Sequence, residues 1–130
     1  MDEYQIYFDR SELGIKGTAK TPFVWFMETG QVYITGRSIP EDAGEFYFRI
    51  WDWVREDFEG YHPLLRIYIR IDFLNGISAK YLLQVLLELK KHCNEIKVTW
   101  HYHDDQPYML ELGEMISACT QTAFEFVCSE

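Results

Sequence analysis

From Leu65 to Asp72 apolar and polar residues alternate: Leu65, Ile67, Ile69 and Ile71 against Arg66, Tyr68, Arg70 and Asp72. A period of two marks a strand with one buried face. Ile96, Val98, Trp100 and Tyr102 repeat the pattern. Elsewhere the spacing is helical. Phe46, Ile50, Trp53, Val54 and Phe58 form one stripe, Leu82, Val85, Leu86, Leu89 and Cys93 a second, and Met109, Leu112, Ile116 and Cys119 a third. Two short β-rich runs, Phe23–Met27 and Gln31–Thr35, flank Glu28-Thr29-Gly30 and predict a hairpin. Gln5–Phe8 and Ala123–Val127 predict outer strands, and Ser11–Thr21 reads as a polar loop.

The boundaries come from capping chemistry. Ser38 and Glu41 match a capping box with Pro40 in the first turn, and Gly44 leaves Glu45 as a second start for the first helix. Gly60 ends it. Ser78 is placed to N-cap the second helix, and Asp104 and Asp105 open the third, where negative charge complements the helix dipole.

The resulting order is β-hairpin, α, β, α, β, α, β, an α/β chain with a mixed sheet and parallel pairing wherever a helix intervenes. Central strands covered on both faces would be apolar throughout. Here Arg66, Tyr68 and Arg70 on one strand, and Lys97, Thr99 and His101 on another, point away from the apolar side. Helices are therefore expected mainly on one face. The other face, mixed basic and aromatic, is solvated, covered by the N-terminal segment, or a docking platform, with the first two ahead of the third. Nothing in the pattern separates one part of the chain from another, so residues 1–130 are expected to form a single domain.

Composition narrows the function. With 48% hydrophobic and 17% aromatic residues the chain can bury a core, which excludes disorder as its main state. A formal net charge of -9 repels phosphate backbones and anionic lipid, so neither nucleic acid nor membrane is expected as a partner. The acidic start Met1-Asp2-Glu3-Tyr4 lacks the basic region of a signal peptide, and Cys93, Cys119 and Cys128 form no CxxC pair, which fits a reducing, cytoplasmic setting. No Gly-x-Ser-x-Gly elbow, P-loop or GxGxxG is present, so a non-enzymatic role with no cofactor is expected.

Three candidate sites remain. Asn75-Gly76-Ile77-Ser78-Ala79-Lys80 is a strand-to-helix turn in which Asn75 and Gly76 tolerate positive φ, Ser78 is a hydroxyl, and Lys80, with Arg37, can hold an anion or a carboxylate. His101-x-His103-Asp104 is a conceivable metal or ligand site without a recognised longer spacing, the alternative to a binding role. Tyr47, Trp51 and Trp25 divide between core packing and interface anchoring.

Three segments together resemble a known family. They are Thr21-Pro22-Phe23-Val24 leading to Thr35-Gly36-Arg37-Ser38-Ile39-Pro40-Glu41; Asp72-Phe73-Leu74-Asn75 through Ser78 and Lys80; and Trp100-His101-Tyr102 with Asp104-Asp105 and Gly113-Glu114. In this order they are similar to the SiaC family of bacterial regulatory phosphoproteins, over roughly Thr21 to Phe126. The resemblance implies a fold like the STAS or anti-anti-sigma-factor domain. It also implies a partner switch, in which a kinase phosphorylates a hydroxyl at the turn before a helix, a Ser/Thr phosphatase removes it, and the unphosphorylated form binds a diguanylate cyclase of the kind that drives biofilm signalling. The family's turn resembles Asn-Thr-Ser-Ser-Ser-Lys with the Thr as acceptor, and Gly76 stands at that position here. Either control has moved to Ser78, or this member binds constitutively. The partner-binding set is then Arg37, Asn75, Gly76, Ile77, Ser78 and Lys80.

Overall fold

The computed structural model describes residues 5–58 and 62–129. Seven strands lie side by side in the order in which the chain makes them. The first four, β1 (Ile6–Phe8), β2 (Leu13–Ile15), β3 (Phe23–Phe26) and β4 (Gln31–Ser38), form an antiparallel meander. From β4 onward the pairing is parallel, through β5 (His62–Leu74), β6 (Cys93–His103) and β7 (Phe124–Ser129). The crossovers are α1 (Ala43–Glu56), α2 (Gly76–Leu89) and α3 (Pro107–Thr120). Each moves one strand further in the same direction, and right-handed crossovers then place all three helices on one face. The α/β class, the mixed sheet and the one-sided helical layer expected from the strand pattern are observed.

The alternation in β5 is the spine of the core. Leu65, Ile67, Ile69 and Ile71 are each no more than 2% exposed and face the helices. From the other elements Ile50 and Val54 of α1, Leu82 and Leu86 of α2, and Met109 and Ile116 of α3 meet them, all buried. Trp100 is fully buried, and its Nε1 donates to the Met109 carbonyl at 2.9 Å. Its ring leaves no room on α3: a Cβ at Gly113 would stand 2.7 Å from the indole.

Five boundary expectations are corrected. Ser11–Thr21 is not all loop, because Leu13 and Ile15 bury against β3 as β2. Ser38 and Glu41 form no capping box: β4 runs through Ser38, and Asp42 caps α1 by accepting from the Glu45 N–H at 2.9 Å. Ser78 is not an N-cap, since Asn75 takes that role and Ser78 lies inside the first turn. Asp104 and Asp105 form a turn before α3, which starts at Pro107 after Gln106. Cys119 is exposed, at the outer edge of its stripe. Gly60 falls outside the described residues; α1 ends at Glu56 with Asp57 as C-cap, and Phe58 folds back, buried, against Trp53.

Candidate functional site at the β5–α2 junction

The junction is made by a register break. Strand β4 pairs with β5 in step until Gly36 meets Ile71, after which Arg37 faces Phe73 and Ser38 faces Leu74. The slip turns Phe73 outward, 43% exposed, and sinks Leu74. The Arg37 guanidinium lies over the Phe73 ring, 4.8 Å from its centroid. The strand continues into α2 with no loop. Asn75 holds extended backbone, and its Oδ1 accepts from the Ser78 N–H at 2.8 Å while its carbonyl accepts from the Ala79 N–H at 3.0 Å. The Asn75 N–H donates back to the Ser38 carbonyl at 3.4 Å. The turn is thus fixed to β4 and to the helix.

Within that frame the residues separate. Asn75, Gly76, Ile77 and Lys80 are exposed, Ile77 by 64%. Ser78 is fully buried, and its Oγ has no hydrogen-bond partner among the described residues. Gly76 does not use positive φ, unlike Gly30 and Gly36, and a Cβ built on it meets nothing within 4 Å. Neither Asn75 nor Gly76 therefore supplies the left-handed backbone their composition allowed. No ion pair involves Lys80 or Arg37 among the described residues.

Beside the junction a groove of about 490 Å³ runs between α1 and α2. Phe48, Trp51, Tyr81 and Gln84 line it, with Asp42 and Glu45 at one end. Tyr81 lies four residues after Ile77, on the same helical face, so the apolar surface continues from the turn into the groove. Gly44 lets the two helices meet there: a Cβ on it would lie 3.1 Å from the Tyr81 hydroxyl. Phe48 and Tyr81 were missed in the sequence. A large aromatic off the buried stripe, as Phe48 is at 54% exposure, was the available signal.

The other candidates divide. Tyr47 is core: its hydroxyl and the Ser38 Oγ are 2.5 Å apart, and burial pushes its phenol pKa well up. Trp51 is half-buried, with the Arg55 guanidinium 4.5 Å from its ring centroid. Trp25 is 41% exposed on the open sheet face. His103 Nε2 lies 3.3 Å from Asp72 Oδ1, His101 pairs in register with Arg70, and Asp104 is in the exposed turn. Among the described residues no three His, Cys, Asp or Glu side chains converge as a metal site would require.

The model of the SiaC family of regulatory phosphoproteins matches residues 15–129. The chain belongs to the SiaC family. An uncharacterized protein of Pseudomonas aeruginosa strain UCBPP-PA14 is 30% identical over 112 residues, covering 80% of this chain and 86% of that protein. Solved structures agree. SiaC of Pseudomonas aeruginosa superposes with a TM-score of 0.72 at 26% identity, over 92% of this chain and 99% of that one. Its apo form gives 0.71 at 27% identity with the same coverage. SiaC captured as the activator of the diguanylate cyclase SiaD gives 0.72 at 24% identity, over 87% of this chain and 96% of that one. The SiaC-family chain described here thus carries a glycine, in open space, at the first position of α2.

Proposed function

We propose that this SiaC-family chain is a signalling adaptor, without catalytic activity of its own, that docks on a partner enzyme through the β5–α2 junction and the adjoining α1–α2 groove. The partner class is a diguanylate cyclase, since the relative described as an activator binds one. The observation that carries the reading is Ile77. It is a large apolar side chain, 64% exposed, on a turn held rigid by Asn75 and β4. An apolar anchor on a preorganised turn loses little entropy on binding. Lys80 and Arg37 flank it as cations for a partner's carboxylates. Among the described residues no helix is long and apolar enough to cross a membrane, and we place the site of action in the cytoplasm, where a cyclase partner would be met.

The phosphate switch of the family has no acceptor at Gly76. Ser78, the hydroxyl nearest to it, is sealed, and a kinase would reach it only after the first turn of α2 opened. We therefore read the docking as constitutive, with any kinase or phosphatase acting as a binding partner and not through a modified turn. The test is a titration of the purified chain into a diguanylate cyclase of the SiaD type, reading cyclic di-GMP formation. Stimulation that saturates at a fixed stoichiometry supports the reading. Cyclase output that does not respond to the chain, together with no measurable binding, rejects it.

A further inference from the structure

The sheet face opposite the helices carries an ordered pattern that the junction does not use. Register places Tyr7, Gly14 and Trp25 side by side across β1, β2 and β3. The same row continues through Tyr33 and Tyr68, whose rings stack with centroids 5.1 Å apart. No helix lies over this face, and Tyr7 and Trp25 are 63% and 41% exposed. Gly14 is the gap in the row. Its φ is not left-handed, and a Cβ there would meet nothing within 4 Å, so neither backbone strain nor packing calls for glycine. Glycine inside a strand weakens it and often marks close approach by something else. Strands sit about 4.8 Å apart, which puts Tyr7 and Trp25 roughly 10 Å from each other across Gly14. That spacing admits one side chain between the two rings, within a hollow of about 600 Å³.

Cations border the aromatic row. Arg66 and Lys97 are directly opposite each other on β5 and β6, and Arg70 stands on the far side of Tyr68 along β5, beside His101. All three cations are exposed and none makes an ion pair among the described residues, in a chain whose acidic residues outnumber its basic ones 21 to 12. Like charges directly opposite on a sheet are destabilising, so the fold gains nothing from Arg66 beside Lys97. Glu95 and Glu125 confine the positive strip to the centre of the sheet.

We propose that this open face is a second docking surface, for an extended acidic segment of a partner protein that crosses the strands, seats an aromatic side chain over Gly14 between Tyr7 and Trp25, and places its carboxylates on Arg66, Lys97 and Arg70. Local charge favours this occupant: Arg66, Lys97 and Arg70, which make no ion pair among the described residues, match a few carboxylates spaced along an extended segment. The surface adjoins the β5–α2 junction at Arg37, and Ile77, which lies on α2, separates the two experimentally.

The probe is a fluorescein-labelled peptide of alternating Asp and Phe, followed by anisotropy with the full chain at low salt. Saturable binding is expected, weakened at least tenfold by Gly14→Val, which fills the slot with a residue suited to strands, and by Arg66→Glu with Lys97→Glu. Trp25→Ala provides a second slot variant should Gly14→Val fail to fold. Ile77→Asp is expected to leave peptide binding unchanged. The proposal is overturned by absence of binding, by binding that survives the slot and charge variants, by equal binding of an alternating Lys-Phe peptide, or by a single-stranded oligonucleotide that binds as tightly as the acidic peptide.

Discussion

Helices α1 and α2 are started by the same device. An Asx side chain accepts from the backbone N–H three residues on, Asp42 from Glu45 at 2.9 Å and Asn75 from Ser78 at 2.8 Å. The surroundings differ. The start of α1 has a carboxylate as its cap, Glu45 in its first turn, and Glu41 just before it tied to Lys20 at 3.1 Å. The start of α2 has a neutral cap, no acidic residue in its first turn, and Gly76 open to solvent. Negative charge near a helix N-terminus is stabilising, and at α1 the chain supplies it. At α2 it does not, and Ile77 projects outward. One start is completed internally; the other is the one we propose a partner completes.

The comparison breaks most sharply at Ile77. Ile77→Asp is expected to weaken cyclase binding by at least about 2 kcal/mol, roughly thirtyfold in Kd, as loss of a buried anchor does. The thermal midpoint should not fall, because the side chain is solvent-exposed in the free protein and a carboxylate in the first turn of α2 suits the helix dipole. Calorimetric titration and a thermal melt check the two halves. The converse is expected at α1. Tyr47→Phe removes the hydrogen bond between its hydroxyl and the buried Ser38 Oγ and should cost about 1–3 kcal/mol in urea denaturation, with cyclase affinity per folded molecule retained.

Cap removal sharpens the same contrast. Asp42→Ala and Asn75→Ala should each cost about 1 kcal/mol of stability by denaturant melts. Only Asn75→Ala should also weaken the partner complex, because it alone frees the turn that carries Ile77. The smallest effect concerns acid. The hydrogen bond and charge of Lys20 hold the Glu41 carboxyl below its ordinary pKa. A lowered folded-state pKa means that its contribution is present above the unfolded value and fades as pH falls through the folded one. Amide protection factors at the start of α1, each taken against the intrinsic exchange rate at the same pH, should therefore drop as pH falls below the ordinary carboxylate range. Those at the start of α2, which has no carboxylate in its first turn, should not follow them.

What was legible in the sequence was whatever repeats. The period-two runs of β5 and β6 and the three helical stripes are read from side-chain alternation alone, because each register position has a fixed face. The starts of the helices were not. Ser38 and Ser78 each offer a hydroxyl in a capping context, yet β4 runs on through Ser38, which moves the first cap to Asp42, and a single residue joins β5 to α2, which makes Asn75 the second. Where a strand stops depends on pairing with its neighbour, and the slip between Gly36 and Arg37 is a property of two strands together. Strand β2 was hidden for a similar reason: three residues with a central glycine carry too little alternation to read. The family turn was recognisable from Asn75 and Lys80, but that Ser78 is sealed and Ile77 is the exposed residue follows only from the position of the cap.

The central claim is a turn that binds without a phosphate switch, and the direct test is one experiment on two proteins. The chain and its Gly76→Thr variant, which the open space at Gly76 accommodates, are each incubated with a kinase that phosphorylates SiaC-family proteins and ATP, weighed intact, and titrated into the cyclase. The account predicts no mass gain and unchanged affinity for the chain itself, against one added phosphate and lost affinity for Gly76→Thr. A phosphate on the unaltered chain, accompanied by loss of cyclase binding, would contradict it.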